Sequence, residues 1–429
     1  MAESAFTSSP NSPRVSNRGL PLSLRLAAIA WRNLWRNRRR TWLTIAGIAF
    51  AVWLLVFARA MQDGTFGSMV DNGARMLPGH IQVQHLDYAD APHMEYTLHS
   101  PPVLKALAAT GDFDHLSERA QGFALVSAGE KSFGAQVIGI QPEIEKQWST
   151  LATGTMQGRF LAHPGEAFIG AILARNIGVG VGDELVVLGT AKEGGVAALA
   201  LDVVGVVTSS ITELDRSILL VDIDDFRGAW GLGPNEAHAV VGIGKTLNRS
   251  ETGVAAAAAA DPAHDYRNWR DLMPEAEQMW NMKIITTEGM FYIIAIVVGF
   301  SVINSFMMLV FERTPEMGML MAIGMKPGYL LVQLQAEALL VAFLGILVGT
   351  LLAMAIVLPL NTVGIPYPIE GVEGIMQTMT IPERLYPQFD THPLYVASLI
   401  MIVGTQIAAL IPGSRIYRLR PVEAIRQEA

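Results

Sequence analysis

The sequence contains no cysteine and little charge. None of its 429 residues is Cys, and only 16% are Asp, Glu, Lys or Arg. The first absence excludes disulfides, thiol nucleophiles and cysteine-based metal sites. The low charge, together with 51% hydrophobic residues, is typical of a protein that lies partly in a membrane rather than of an ordinary soluble enzyme.

Signatures of catalysis and of nucleotide binding are also missing. Gly-Lys-Thr at 244–246 follows a predicted strand, but a phosphate-binding loop needs a glycine where Ala239 stands. No G-x-S-x-G occurs, and no two histidines stand four residues apart beside a glutamate, as a metalloprotease helix requires. We therefore predict no catalytic residue, no metal site and no cofactor bound by this chain. No nucleic-acid partner is expected, and a membrane enzyme is the weakest interpretation.

Four long uncharged runs dominate what is present. They cover residues 41–58, 289–311, 338–369 and 391–414, and each reaches the roughly 18 to 20 residues that a helix needs to cross a bilayer. We predict four transmembrane α-helices with a large α+β extracytoplasmic domain between helices 1 and 2. The predicted spans are 41–61, 284–311, 329–358 and 391–413.

The charges predict the orientation of these spans. The first 40 residues carry eight arginines and one acid, and four further arginines follow Gly413. Residues 62–283 instead hold 15 basic and 28 acidic residues, a formal charge of −13. Because basic flanks stay in the cytoplasm, both termini should be cytoplasmic and the acidic domain should lie outside.

The remaining segments have simpler signals. Residues 1–21 are rich in Ser, Pro and Asn, which predicts a disordered tail. Residues 22–40 predict an amphipathic interfacial helix with Trp31 and Trp35 at headgroup level and arginines, Arg36 among them, toward lipid phosphates. The outer domain, 62–283, is predicted as two lobes divided near residues 154–165. Residues 359–390, with five prolines, predict an extended outer loop, and 414–429 form a cytoplasmic tail.

Two features of the third span suggest helix contacts. Small residues recur at three- and four-residue steps along the span, at Ala342, Gly345, Gly349 and Ala353. Small side chains on one face of a helix would let another helix approach closely. Glu337 lies about two turns into this span, and a structural or coupling role is favoured over proton transfer.

Three motifs resemble one family. The segment 312–324 reads ERTPEMGMLMAIG, and it is similar to the E-R-x-x-E-hydrophobic-G-x-L-R-A-hydrophobic-G pattern between the second and third spans of FtsX-like permeases. The ending 418–426, RLRPVEAIR, and the entry to the first span, with Arg32-Asn33-Leu34 and Arg40-Thr41, resemble the family's motifs as well. The chain thus resembles the MacB-type and lipoprotein-releasing (LolC/LolE) permeases of ABC transporters over its whole length.

This resemblance implies a multi-pass protein of the bacterial inner membrane that dimerises with itself or a relative and sits on cytoplasmic ATPase subunits, which would bind the ATP and Mg. Residues 312–328 would be the coupling helix. Its acids and Arg313 would make polar contacts with the ATPase, and Met317, Leu320 and Ile323 would fill an apolar groove. Met321 departs from the family's basic residue. The implied ATPase-coupling residues are Glu312, Arg313, Glu316, Met317, Gly318, Leu320, Ile323 and Gly324.

The resemblance also implies a cargo. Lipoprotein-releasing permeases extract acylated proteins and hand them to a periplasmic carrier, although only residues 190–200 stand where one such permease has a carrier-gripping hook. The candidate residues for contact with acyl chains are Phe50, Trp53, Leu54, Phe57, Ile293, Val297 and Phe300. Two alternatives stay open: efflux of amphiphilic compounds with a periplasmic adaptor, and transmembrane signalling to a cell-wall hydrolase.

Overall fold

A computed structural model describes residues 29–154, 156–209, 211–366 and 384–418. Four predictions lie partly or wholly outside these ranges. They are the disordered tail 1–21, the beginning of the interfacial helix at 22–28, the central part of the proline-rich loop at 367–383, and the ending motif from residue 419 onward.

Long helices account for most of the apolar sequence. In the described ranges, four helices are long and apolar enough to cross a membrane: Ile29–Met76, Pro274–Glu312, Pro327–Val363 and Leu394–Tyr417. The first contains a 3-10 turn at Trp35–Asn37. The α-helices are α1 (Arg38–Met76), α2 (Ser100–Thr110), α3 (Pro142–Glu145), α4 (Thr150–Thr153), α5 (Ala171–Ile177), α6 (Thr212–Ser217), α7 (Ile223–Trp230), α8 (Leu247–Ala260), α9 (Trp269–Leu272), α10 (Pro274–Glu312), α11 (Thr314–Ala322), α12 (Pro327–Val363) and α13 (Thr391–Ser414).

The helix ends differ from the predicted spans at one proline. Pro359 was expected to begin the outer loop, but it lies inside α12, which continues to Val363. That expectation is wrong because a proline near a helix end removes only one backbone hydrogen bond. The helix stops at Gly364, whose φ of 70° few other residues adopt and whose N–H donates to the Leu360 carbonyl at 2.9 Å.

The chain forms two compact units. Among the residues that the structure describes, one unit is drawn from the ranges 1–59, 287–359 and 389–429, and the other from 60–286 and 360–388. The core of the first unit is apolar and comes from α1, α10, α12 and α13, with Ile48, Val302, Ala338 and Ala409 fully or almost fully buried. The burial of these side chains supplies most of the cohesion between the helices outside any lipid contribution.

The second unit is built on β-strands. They are β1 (Ile81–His85), β2 (Leu98–His99), β3 (Phe113–Ala128), β4 (Lys131–Ile140), β5 (Met156–Gly158), β6 (Glu166–Gly170), β7 (Glu184–Thr190), β8 (Val196–Val207), β9 (Ile218–Asp222), β10 (Glu236–Ala237), β11 (Ala239–Gly244), β12 (His264–Asn268), β13 (Ile365–Pro366) and β14 (Arg384–Leu385). Pairing runs from β3 to β4, β9, β6, β8, β7 and back to β3. These six strands therefore close a barrel around an apolar interior.

A second group of strands adjoins the barrel through β3. Residues 113–119 of β3 pair with β11, whereas residues 120–128 pair with β4. The first part belongs with β1, β11 and β12, which α2 and α8 cover. A division near residues 154–165 is wrong, since the strands before and after that segment pair within the barrel. Strand pairing between distant residues, not chain order, sets the boundary.

Candidate functional site

A kink joins α10 to α11. Helix α10 ends at Glu312, Arg313 takes a non-helical conformation with φ −99° and ψ 6°, and α11 begins at Thr314. The Thr314 hydroxyl donates to the Val310 carbonyl at 2.8 Å, which satisfies an acceptor at the end of α10. Gly324, with φ 106°, then turns the chain toward α12. The segment is thus a short helix held between two long ones.

Arg313 points into the protein at this kink. Its Nη1 donates to Glu337 Oε1 at 3.0 Å, and its Nη2 donates to the Asn33 carbonyl at 3.1 Å. The Asn33 amide donates to the same Glu337 oxygen at 2.8 Å. Both charged side chains are buried, and Glu337 is only 3% exposed. We call Asn33, Arg313 and Glu337 the Glu337 cluster; it joins the segment before α1, the kink and α12.

Two exposed ion pairs flank the Glu337 cluster. Both guanidinium Nη atoms of Arg36 donate to Glu316, at 2.6 and 3.1 Å, and Arg40 donates to Glu312 at 2.9 Å. The bond from Arg36 lowers the pKa of Glu316 below its ordinary value, so this carboxylate stays ionised at neutral pH. Exposed pairs of this kind add little stability, but they fix which side of the N-terminal segment meets α11.

The apolar side chains of α11 divide by burial. Met317 is 7% exposed and packs in the helix core, and Gly318 is buried as well. Ile323 is 80% exposed and Leu320 38%, and both lie at the end of the helix. A groove of about 290 Å³ runs beside Leu320 between the N-terminal segment, α11 and α12. The apolar side chains open to a partner therefore lie in the second half of α11 and at its end, where Met319 is also 56% exposed.

This arrangement divides the predicted coupling residues by burial. Arg313 and Met317 were expected to contact an ATPase, and in this chain Arg313 is bonded to Glu337 and Met317 packs in the helix core, so their role toward an ATPase stays a prediction. Gly318 is buried as well. Glu312, Glu316, Leu320, Ile323 and Gly324 are accessible, and their role toward an ATPase stays a prediction.

The expectation for Arg36 is wrong. It was assigned to lipid phosphates, but it pairs with Glu316. A signal for this was present in the sequence: Arg36 and Arg40 are four residues apart, and so are Glu312 and Glu316. Equal spacing on two helical segments permits two parallel contacts. Asn33 was missed as a site residue because an asparagine carries no charge that would draw attention to it.

The predicted acyl-contact residues lie on two helices. Phe50 on α1 and Ile293, Val297 and Phe300 on α10 are each more than half exposed. The other predicted acyl-contact residues are half-buried on α1: Trp53, Leu54 and Phe57. The Trp53 ring lies 5.4 Å from that of Phe50 and 5.8 Å from that of Phe57. Contact of any of these residues with cargo stays a prediction.

The glycines of α12 face α1. A Cβ atom on Gly345 would lie 2.6 Å from Cγ2 of Ile48, and one on Gly349 would lie 2.5 Å from the Ala49 carbonyl oxygen. Real side chains do not approach this closely, so only glycine permits the observed distance between the helices.

Among the residues that the structure describes, no three His, Asp or Glu side chains are grouped as a metal site would need.

Two family descriptions match the chain. A MacB-like periplasmic core domain matches residues 41–263, and an FtsX-like permease C-terminal region matches residues 289–421. The first match covers more than half of the chain, and the second includes α11, α12 and most of the Glu337 cluster. They confirm the resemblance drawn from the three motifs.

The similarity to individual relatives covers different shares of the chain. The lipoprotein-releasing system transmembrane protein LolC of Neisseria meningitidis serogroup B is 24% identical over 407 residues, which are 90% of this chain and 94% of that protein. LolC of Xylella fastidiosa is also 24% identical, over 95% of this chain and 99% of that protein. The macrolide export ATP-binding/permease protein MacB of Neisseria meningitidis serogroup A is 29% identical over 134 residues, 31% of this chain and 18% of that protein.

Proposed function

Because the chain belongs to the MacB-type permeases of ABC transporters, with a MacB-like periplasmic core domain and an FtsX-like C-terminal region, we propose that it drives the release of lipoproteins from the bacterial inner membrane. In this proposal a separate cytoplasmic subunit binds ATP and Mg and hydrolyses the ATP. The permease works as a dimer, with itself or with a relative, and passes its cargo to a periplasmic carrier.

The observation that carries this proposal is the extent of the similarity to LolC. It covers 90% of this chain and 94% of the relative from Neisseria. Similarity to MacB covers only 18% of that longer protein. The chain also has no phosphate-binding loop, which supports a partner as the source of ATP hydrolysis.

The proposed topology follows from helices and charge. The four long apolar helices span the membrane, and the strand-rich unit, with its excess of acids, lies between the first two on the outer side. The arginines before α1 and after α13 hold both termini in the cytoplasm. In this orientation the short helix α11 faces the cytoplasm.

The contacts around Arg313 suggest how an ATPase would act on α1. The exposed end of α11, with Leu320 and Ile323, docks on the ATPase. A displacement of α11 shifts Arg313, which is bonded to Asn33 and Glu337. Because Arg36 and Arg40 are bonded to the same region, the segment before α1 moves with it. The ATPase thereby moves the first span by mechanical force.

Acyl chains fit the exposed surface of the spans. Ile293, Val297 and Phe300 on α10 and Phe50 on α1 carry no charge and are exposed. Removing an acyl chain from the bilayer onto such a surface buries no polar group, so the cost of desolvation is small. Extraction then needs force, not an aqueous pathway through the membrane.

Depletion of the chain in its own bacterium tests the proposed cargo. We expect acylated proteins to accumulate in the inner membrane, as measured by fractionation and detection of a marker lipoprotein. Restoring the wild-type gene should reverse the accumulation. Normal export of lipoproteins after complete depletion would refute the release function.

The docking of α11 is tested by copurification with the ATPase. Ile323→Ser combined with Leu320→Ser removes two exposed apolar side chains, and we expect the recovered ATPase to fall by at least about tenfold, since buried apolar anchors dominate interfaces. Val196→Ser is the matched control, because Val196 is also 80% exposed but lies in the outer domain. Equal recovery from the double variant and the control would show that α11 is not the docking helix.

Efflux of amphiphilic compounds is the second candidate, favoured by the similarity to MacB at 29% identity. In that case depletion would raise sensitivity to amphiphilic drugs while lipoproteins continue to reach their destination. The depletion experiment therefore separates the two functions.

A further inference from the structure

The arginines before and at the start of α1 fall into two groups. Arg36 and Arg40 are bonded to Glu316 and Glu312. The other three, Arg32, Arg38 and Arg39, are exposed, and no carboxylate in the described parts of the chain lies within ion-pair distance of them. These three exposed positive charges have no acidic partner in the described residues, which favours an anionic partner outside the chain.

An apolar stripe continues directly from these cations along α1. Residues 39, 43, 46 and 50 follow at steps of four, three and four, which places them on one face of the helix. Leu43 is 74% exposed, Phe50 is 58% exposed, and Ala46 is exposed too. The opposite face, with Ile48 and Val52, is buried against α12. The open face of α1 therefore begins with positive charge and continues without any.

Tryptophans line the same end of the helix. Trp31 and Trp42 are about half exposed, and Trp35 lies between them with ring centroids 5.6 Å from each. Indole rings concentrate where lipid headgroups meet hydrocarbon, because they are apolar with one polar N–H. Their position next to Arg38 and Arg39 marks the level at which a lipid phosphate would lie.

The length of the stripe agrees with one leaflet. From residue 39 to residue 50 the helix rises by about 16 Å, about half of the ~30 Å hydrocarbon thickness of a bilayer. A protein partner would need no such match between a charged end and an apolar stripe of leaflet length.

We propose that this face of α1 is a binding site for an anionic phospholipid. Arg32, Arg38 and Arg39 hold the phosphate, and the acyl chains lie along Leu43, Ala46 and Phe50. Arg36 and Arg40 do not contribute, because their guanidinium groups are already bonded to the kink and α11. The site requires only that α1 enters a membrane and does not depend on the ATPase; of its residues, only Phe50 also belongs to the surface proposed above for the acyl chains of the cargo.

Lipid retention tests the site on the full-length protein. The chain is purified in mild detergent and equilibrated with mixed micelles of phosphatidylglycerol and phosphatidylcholine in equal amounts. The lipids that stay with the protein are then measured by mass spectrometry. We expect the lipid retained by the wild-type protein to be enriched in phosphatidylglycerol over phosphatidylcholine. Each of the three arginines should contribute a factor of at most about five to this enrichment.

Matched variants distinguish the two groups of arginines. In R32Q/R38Q/R39Q the enrichment should fall at least about tenfold, whereas R36Q/R40Q should keep the wild-type value, and R32K/R38K/R39K should keep most of it because the charge remains. Inorganic phosphate at excess should not displace the lipid, since it has no acyl chain. Wild-type enrichment in the triple glutamine variant, an equal loss in R36Q/R40Q, or displacement by phosphate alone would each overturn the proposal.

Discussion

Two buried arginine–glutamate pairs lie in different units of this molecule. In the strand-rich unit, the proposed outer domain, Arg119 and Glu145 are 4% and 2% exposed, and two parallel bonds of 2.7 Å join them. In the helical unit, the side chains of Arg313 and Glu337 are 9% and 4% exposed. Nη1 of Arg313 lies 3.0 Å from Oε1 of Glu337 and 3.4 Å from Oε2. The burial is similar, but the geometry is not.

The surroundings of the two pairs differ as well. The Ser117 hydroxyl donates to Glu145 at 3.0 Å, and Arg119 also donates to the Leu77 carbonyl, so the outer pair has partners on every side. These contacts lie where β3 passes from one group of strands to the other. Such a pair is costly to break because a buried charge would be left without a partner.

The Glu337 pair is less completely bonded and joins segments that are far apart in sequence. Asn33 precedes α1, Arg313 lies at the kink, and Glu337 lies in α12. Arg313 reaches its carboxylate through one nitrogen, whereas Arg119 uses two, and a pair held through one nitrogen can change partners at a smaller cost than a bidentate pair. We infer that the outer pair is structural and that the Glu337 pair suits a point that transmits movement.

The largest expected effect is the loss of the outer pair. Glu145→Ala leaves Arg119 buried and unpaired, so we expect the free energy of unfolding of the outer domain to fall by about 3 to 5 kcal/mol. Limited proteolysis and thermal unfolding of the full chain measure the effect. The double variant R119M/E145M should recover much of the loss, since it leaves no charge behind. A single variant as stable as the wild type would show that this pair contributes no structural stability.

The outer domain should also lose stability in acid through His238. Burial lowers the pKa of His238 to about 4. The unfolded chain takes up a proton near pH 6.5 but the folded domain does not, so stability is complete above that pH and falls by about 3 kcal/mol as the pH drops to about 4. The ring fits the neutral form, because Nδ1 accepts from the Gln121 N–H at 3.1 Å.

Unfolding temperatures across this pH range check the prediction. His238→Gln removes the titrating group and should flatten the decline, even if the variant is less stable at neutral pH. An unchanged slope in the variant would assign the acid sensitivity to other groups.

Glu337→Gln should have a smaller effect on stability and a larger one on function. The amide keeps the shape and an acceptor for Asn33 but loses the charge that Arg313 requires, so we expect a loss of about 2 kcal/mol. If the cluster transmits movement, ATP hydrolysis by the copurified complex should continue while lipoprotein release falls. Release that stays in proportion to hydrolysis would contradict a coupling role.

The smallest effect is expected at the exposed pair beside it. Glu316→Gln removes the partner of Arg36, and because both side chains are about half exposed, stability should change by less than about 1 kcal/mol. This variant is the stability control for Glu337→Gln, since it removes the same charge from the same region without burial; release is not compared, because Glu316 is itself a predicted coupling residue. Equal losses of stability in both variants would mean that burial of Glu337 is unimportant.

Much of the architecture follows from local sequence. The apolar runs at 41–58, 289–311, 338–369 and 391–414 predict long helices. Helices form in all four, and in the third run the helix ends at Val363. A short helix was also expected between the second and third runs, and α11 lies there. Pro359 was misjudged because one proline cannot end a helix that is otherwise favoured.

Long-range packing accounts for the rest. Whether an arginine such as Arg36 meets lipid or a carboxylate depends on α11, 280 residues further along the chain. The closed barrel and the boundary within β3 likewise depend on pairing between distant strands. Local sequence therefore specifies which segments of this protein enter a membrane, because hydrophobicity is additive along the chain. The three-dimensional arrangement specifies which charges are buried together at Glu337 and which stay free, because those contacts join residues that no local pattern connects.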